Sequence, residues 1–165
     1  MAKQLLLVRH GKSDWGNTDL SDFDRPLNKR GKENAPEMAE RLINRGLKIG
    51  QIVSSPAKRA KSTAKYFADA YNIDHIQFEE SIYEANTSAL LKVVNGLDDD
   101  AENVVMFGHN PGFTDFANEL CNADIYNIPT AGMVLISFPF DSWRMVSKGT
   151  GELIFFDYPK NSDEI

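Results

Sequence analysis

The stretch that decides the fold is Leu5-Leu6-Leu7-Val8-Arg9-His10-Gly11-Lys12-Ser13-Asp14-Trp15, or LLLVRHGKSDW. Four consecutive apolar residues read as a strand buried on both faces, the kind found in parallel sheets covered by helices. The run stops on a guanidinium and an imidazole. A charged side chain at the end of a buried strand needs a partner, so this end is the first place to look for chemistry.

Working outward, apolar runs rich in Val, Ile, Leu and Phe recur near 51–54, 103–107, 133–138 and 152–157, with a weaker one near 75–79. Helical spacing separates them. Met38, Leu42 and Leu47 are nearly in phase, Ala60, Ala64, Phe67 and Tyr71 are in phase, and SALLKVVNGL and PGFTDFANELC suit two shorter helices. Strand and helix therefore alternate until two strands close the chain, which predicts an α/β fold with a mostly parallel central sheet covered on both faces. MVLISFPF and GELIFFDY, separated by a short segment with Lys148, Gly149 and Gly151, read as an antiparallel C-terminal hairpin. No linker, repeat or low-complexity tract interrupts this order, so residues 1–160 are expected to form one domain and 161–165, NSDEI, a loose tail.

The 165 residues suffice to bury roughly 70% of the unfolded chain's surface without a metal or disulfide staple. Cys121 is the one cysteine, which excludes an intramolecular disulfide and suits a reducing, cytoplasmic setting. No stretch approaches the ~18 apolar residues of a membrane span, and the N-terminal run is too short for a signal peptide. A net charge of −6 argues against nucleic acid as the main partner, yet the charge is uneven. Residues 1–65 carry 14 Lys and Arg against 7 acids, whereas residues 66–165 carry 4 against 17. The first part is the one suited to an anion.

In open α/β sheets ligands sit beyond the carboxyl ends of the strands. Those ends here carry Arg9-His10-Gly11, Ser54-Ser55-Pro56 with Arg59 just after, and Gly108-His109-Asn110-Pro111-Gly112. If the three strands run parallel, Arg9, His10, Arg59 and His109 meet at one edge. Ser55 reads as an N-cap and Pro56 as the first helical residue, which bunches Lys58, Arg59 and Lys61 at a helix N-terminus. Cations there are unfavourable unless an anion is close. A phosphoryl group satisfies two arginines with paired hydrogen bonds, and their charge keeps a nearby imidazole neutral and nucleophilic. Gly11 lets backbone approach the other ring nitrogen of His10, and His109 can donate to charge developing on phosphoryl oxygens.

These residues resemble the histidine phosphatase superfamily, most closely its short SixA-like phosphohistidine phosphatase branch. The resemblance rests on LLLVRHGKSDW, DFDRPLNKRGKENA at 22–35, SSPAKRAKSTA and GHNPG, in that order along most of the chain. It implies a three-layer α/β/α sandwich in which His10 is phosphorylated as a covalent intermediate. It also implies that Arg9 and Arg59 bind the phosphoryl group, that His109 completes the pocket, and that neither metal nor cofactor is needed. Phosphoglycerate mutase-like relatives carry a glutamate where this chain has Lys12, and an asparagine where it has Gly16, with Asn17 one residue late. The spacing from Arg59 to His109 leaves no room for a large lid, which suits a phosphate on a protein surface and also admits a small phosphomonoester.

Glu84, in SIYEANT after the weak strand, is the candidate general acid, although a solvated loop carboxylate reads equally well there. The Asp22–Gly31 block reads as a loop ordering the pocket rim through an internal Asp-Arg pair. Asp98–Asp100 reads as a solvated turn and His75 as exposed; Trp15 reads as packing or as a pocket wall or surface anchor, and Thr130-Ala131-Gly132 as packing or as a segment touching the site. A phosphate-binding module without turnover would need only the arginines, and a metal hydrolase would need more than two histidines crowded by guanidinium groups.

Overall fold

The computed structural model describes residues 2–161; the remaining four residues of the expected tail, 162–165, lie outside the described residues. Six strands and four α-helices follow one another as β1 (Lys3–Arg9), α1 (Lys29–Asn44), β2 (Gln51–Ser54), α2 (Lys58–Tyr71), β3 (Gln77–Phe78), α3 (Thr87–Asn95), β4 (Asn103–Gly108), α4 (Gly112–Cys121), β5 (Met133–Phe138) and β6 (Glu152–Asp157). The sheet order is β3-β2-β4-β1-β5-β6. β1, β2, β3 and β4 pair in parallel, whereas β5 runs antiparallel to both β1 and β6. This is the mostly parallel α/β sheet with an antiparallel C-terminal pair that the apolar runs predict.

Strand alternation splits one apolar run between two cores. Leu5 and Leu7 of β1 join Val104, Met106, Val134 and Ile136 against α3 and α4. Leu6 and Val8 join Val105, Phe107, Met133 and Leu135 against α1 and α2. Helices on each face of one sheet make the three layers. Each fully buried Leu or Val contributes about 1.5–3 kcal/mol relative to exposure, so the central strands are anchored from both sides. That anchoring holds the strand ends, with their polar residues, in fixed positions.

Three local readings are corrected. The first helix starts at Lys29, inside the block read as a loop to Gly31, because Asn28 Oδ1 caps it by accepting from Gly31 N (2.9 Å), so Lys29, Arg30 and Gly31 are helical. The second helix starts at Lys58, with Ala57 in the cap position. Ser55 lies two residues before that cap; its hydroxyl accepts from the backbone N–H of Ala57 (3.2 Å) and also meets His109 Nε2 (2.8 Å). Asp99 is more than a solvated turn residue: it accepts from Trp143 N (2.8 Å) and Ser142 Oγ (3.1 Å), tying down the β5–β6 connection, where Trp143 is fully buried.

The capped start of α1 packs backbone to backbone against the segment after β1. Asn28 N donates to Lys12 O (2.9 Å), and a Cβ on Gly31 would lie 2.3 Å from Lys12 O. Alanine normally favours a helix interior over glycine by about 1 kcal/mol. Here the sign reverses, since the contact is to a carbonyl that cannot swing away. Gly31→Ala is expected to lower stability by about 1–3 kcal/mol, read as a drop in melting temperature. An unchanged or raised melting temperature would contradict this contact.

Candidate active site

β1, β2 and β4 deliver their carboxyl ends to one edge, where Arg9, His10, Arg59 and His109 come together. The rings of His10 and His109 lie 5.2 Å apart between centroids, and Arg59 Nε is 3.4 Å from His10 Nε2. His10, Arg59 and His109 are only 7%, 6% and 9% exposed. The edge is thus a pocket floor made of side chains that sequence reading had singled out.

The Nδ1 of His10 sits 2.6 Å from the carbonyl of Gly11. A carbonyl can only accept, so Nδ1 carries the proton and Nε2 has the lone pair, to which Arg59 Nε donates. Burial lowers the His10 pKa to about 3; the Gly11 bond opposes this, while His109, Arg59 and Arg9 add to the lowering. His109 is lowered to about 4 by burial and then by Arg59. Both rings are neutral at ordinary pH.

The backbone that aims His10 is pinned from several sides. Gly11 N donates to Thr63 Oγ1 (3.0 Å), which itself donates to Arg59 O (2.8 Å), linking the His10 segment to the helix that carries Arg59. Ala131 N donates to the carbonyls of Arg9 (3.0 Å) and His10 (2.9 Å), and Arg9 N donates to Gly132 O (3.0 Å). The Thr130-Ala131-Gly132 segment therefore does more than pack. Ala131 holds a left-handed φ of 61° to make these bonds, a conformation uncommon for a residue with a Cβ.

Asp22 is the hub that the sequence left half-read. Its expected pairing with Arg25 is present at 3.0 Å, and its second oxygen accepts from Arg59 Nη2 (3.0 Å) and Tyr83 Oη (2.6 Å). The Tyr83 bond, then those from Arg25 and Arg59, hold this carboxyl far below the usual range, and the same bond pushes Tyr83 up to about 12. Arg25 also donates to Ser13 Oγ and lies 3.4 Å over the ring of Trp15, which is 73% exposed. His109 thus stands in the field of three guanidinium groups, Arg59, Arg9 and Arg25, and one ionised carboxylate, Asp22. The surplus of two positive charges matches a phosphoryl dianion.

Arg9 donates from Nη1 to Ile128 O (2.9 Å), and both burial and Arg59 lower its pKa. Its Nε and the Nδ1 of His109 are buried without a hydrogen-bond partner among the described residues. Orphaned buried polar atoms ask for an explanation, and here both belong to the pocket floor. Glu84 lies apart from that floor. It is exposed on the turn before α3, with a left-handed φ of 56°, and shares a cavity of about 480 Å³ with His109 and Asn110. Asp22, Thr63, Tyr83, Ser55 and Arg25 are the site neighbours whose contacts the sequence did not disclose; the one available signal was the Asp-Arg spacing in DFDR. Among the described residues, no group of three or more His, Cys, Asp and Glu has the arrangement to hold a metal ion. No helix among them is long and apolar enough to cross a membrane.

The family model described as "Histidine phosphatase superfamily (branch 1)" matches residues 5–110, and the chain belongs to that superfamily. An uncharacterized chloroplastic protein of Arabidopsis thaliana is 29% identical over 154 residues, covering 87% of this chain and 70% of the relative. A Salmonella choleraesuis relative described as a phosphoglycerate mutase, GpmB, is 35% identical over 91 residues; the match spans 54% of this chain and 41% of the relative's length. Among solved structures, one described as phosphohistidine phosphatase SixA from Agrobacterium tumefaciens superposes with a TM-score of 0.82 at 24% identity, covering 95% of this chain and 98% of that one. The protein histidine phosphatase SixA complexed with tungstate gives 0.82 at 20% identity, covering 96% and 99%. The chain shares their α/β fold.

Neutral burial of His10 has a consequence for stability. The unfolded chain takes up protons on its histidines below about pH 6.5 while the native state refuses them, so acidification favours unfolding. Each such ring steepens the fall by about 1.4 kcal/mol per pH unit. Denaturant unfolding of the wild type and His10→Gln, compared from pH 7 down to pH 4, is expected to show the shallower acid decline in the variant. Parallel pH profiles would contradict the depressed His10 pKa.

Proposed function

We propose that the protein is a metal-independent phosphatase that works through a phosphohistidine at His10 and acts on protein phosphohistidine. The observation that carries this reading is the fixed tautomer of His10, with Nδ1 tied to Gly11 O at 2.6 Å and Nε2 left as a neutral nucleophile beneath Arg59. In the first step the Nε2 lone pair attacks phosphorus and the bond to the leaving group breaks. In the second, water attacks the phosphoryl group, His10 leaves with its electron pair, and inorganic phosphate is released.

Arg9 and Arg59 hold the phosphoryl oxygens, and His109 donates to the charge that spreads over them in the transition state. Arg59 must first exchange its carboxylate partner: Asp22 occupies Nη2, and the Asp22 carbonyl occupies Nη1 at 2.6 Å. A phosphoryl dianion replaces that carboxylate as the stronger charge partner. Glu84, on the rim beside His109, protonates the leaving oxygen of an alkyl phosphate. Phosphohistidine needs less of this help, because a protonated imidazole leaves readily.

Two features support a protein substrate. Trp15, under the Arg25 guanidinium, and Phe23, edge-on to Tyr83, are exposed beside the Asp22 cluster, an apolar edge suited to contact with another protein surface. The solved structures described as SixA, one of them holding an oxyanion, cover nearly all of this chain.

The test is hydrolysis of a chromogenic aryl phosphate with and without chelator, in the wild type and His10→Ala. Chelator-insensitive turnover that disappears in the variant is expected; activity that needs metal or survives loss of His10 would refute the mechanism. In the same assays a phosphohistidine protein is expected to be dephosphorylated far faster than sugar phosphates. Glu84→Gln should slow the sugar phosphates more than the phosphohistidine. Preference for sugar phosphates would shift the assignment to a small-molecule phosphomonoesterase.

A further inference from the structure

A second basic cavity lies on the other side of the β1 end, and the proposed reaction does not use it. Its volume is about 200 Å³, and it is lined by Lys12, Arg30, Lys160, Asn34, Thr130 and Tyr158, with two prolines completing the wall. Among the described residues three cations line it and no carboxylate does. Among the described residues none of the three has an ion-pair partner within 4.0 Å.

Four separate parts of the chain build this cavity. Lys12 follows His10-Gly11, Arg30 and Asn34 are four residues apart on one face of α1, Thr130 precedes β5, and Tyr158 and Lys160 follow β6. β6 runs parallel to β1, so its carboxyl end comes to the same edge of the sheet. The first turn of α1 adds Lys29 and Arg30 and has no acid, although a helix N-terminus is already partly positive. Converging cations raise the free energy of the empty arrangement, and an anion relieves it.

The wall between the two pockets is thin. Residues 10–12 and 129–131 form it, stitched by the bonds from Ala131 N to the carbonyls of Arg9 and His10. We propose that the Lys12–Arg30–Lys160 cavity is a second phosphate-binding pocket beside the catalytic one. The two lysines supply point charges and the Arg30 fork supplies paired donors; the Thr130 hydroxyl, and the N–H of the Asn34 amide that is not given to Glu37 Oε1 (3.2 Å), complete a set of donors for phosphate oxygens. The phosphate comes either from free inorganic phosphate or from a second phosphoryl group on the molecule being hydrolysed.

Calorimetric titration of the full chain with inorganic phosphate at low salt tests this. Arg59→Ala disables the catalytic pocket and is expected to retain one phosphate site; adding Arg30→Ala and Lys160→Ala to it should weaken that site at least tenfold. Circular dichroism melts verify that each variant folds, and Lys160→Ala alone, with a smaller loss, serves if the combined variant does not. Phosphate binding unchanged by these substitutions, or absent from folded Arg59→Ala, would overturn the proposal. Because turnover is not read, failure here is distinct from failure of the His10 mechanism. The source is separated by kinetics in the wild type. A KM lower for a bisphosphorylated than for a monophosphorylated aryl compound, erased by Arg30→Ala with Lys160→Ala, assigns a second substrate phosphate. A two-phase inhibition by inorganic phosphate, reduced to one phase by the same changes, assigns the free ion.

Discussion

The hydrogen bond from His10 Nδ1 to the carbonyl of Gly11 is the constraint on which the site depends. A histidine that can rotate or exchange tautomers is a poor nucleophile, because the lone pair is then available only part of the time and in varying directions. The 2.6 Å bond settles both matters at once. It works only if the Gly11 peptide is itself immobile. Thr63 holds its N–H, Ala131 holds the carbonyls on either side of the His10 nitrogen, and Gly31 closes against the next peptide with no room for a side chain. The layered core extends this rigidity downward, since β1 is anchored by leucines on both faces.

Electrostatics then sets the state of the pocket. Burial, the His109 ring and two guanidinium groups, Arg59 and Arg9, make protonation of His10 unfavourable, which keeps its Nε2 unprotonated without any adjacent base. The same cations need an anion, and Asp22 supplies one through Arg25 and Arg59 while Tyr83 fixes its orientation. Asp22 is a tethered carboxylate of single charge, and a phosphoryl group carries nearly two. In the proposed reaction substrate binding is therefore an exchange of anions on Arg59. The exchange spares the protein a set of converging, unpaired arginines between turnovers.

Much of this was legible in the chain. The unbroken apolar runs of β1 and β4 announced strands buried on both faces, and their polar ends placed Arg9, His10 and His109 together once parallel pairing was assumed. Arg59 was legible because cations at the start of a helix break a local rule. The rest depends on contacts between residues far apart in sequence, such as Asp22 with Arg59 and Tyr83, or Gly11 with Thr63, which no periodicity records. Ser55 shows the limit most plainly: locally it has every property of a helix cap, yet the helix starts two residues beyond the expected position and the same hydroxyl also meets a tertiary partner, His109. Asn28 was overlooked because the Asp22–Gly31 block reads as a loop, whereas α1 begins within it and runs on through Pro36. The helix tolerates it, with its apolar face packed beneath on Ala35, Met38 and Leu42.

The central claim is that His10 carries the phosphoryl group between two chemical steps. Rapid mixing of the full chain with a radiolabelled aryl phosphate, quenched in alkali and digested for mass spectrometry, reads this directly. The account predicts a transient acid-labile, alkali-stable phosphoryl adduct on the peptide containing His10, formed before phosphate release and absent from His10→Ala. Phosphate release without any adduct on that peptide, or an adduct on another residue, would contradict it.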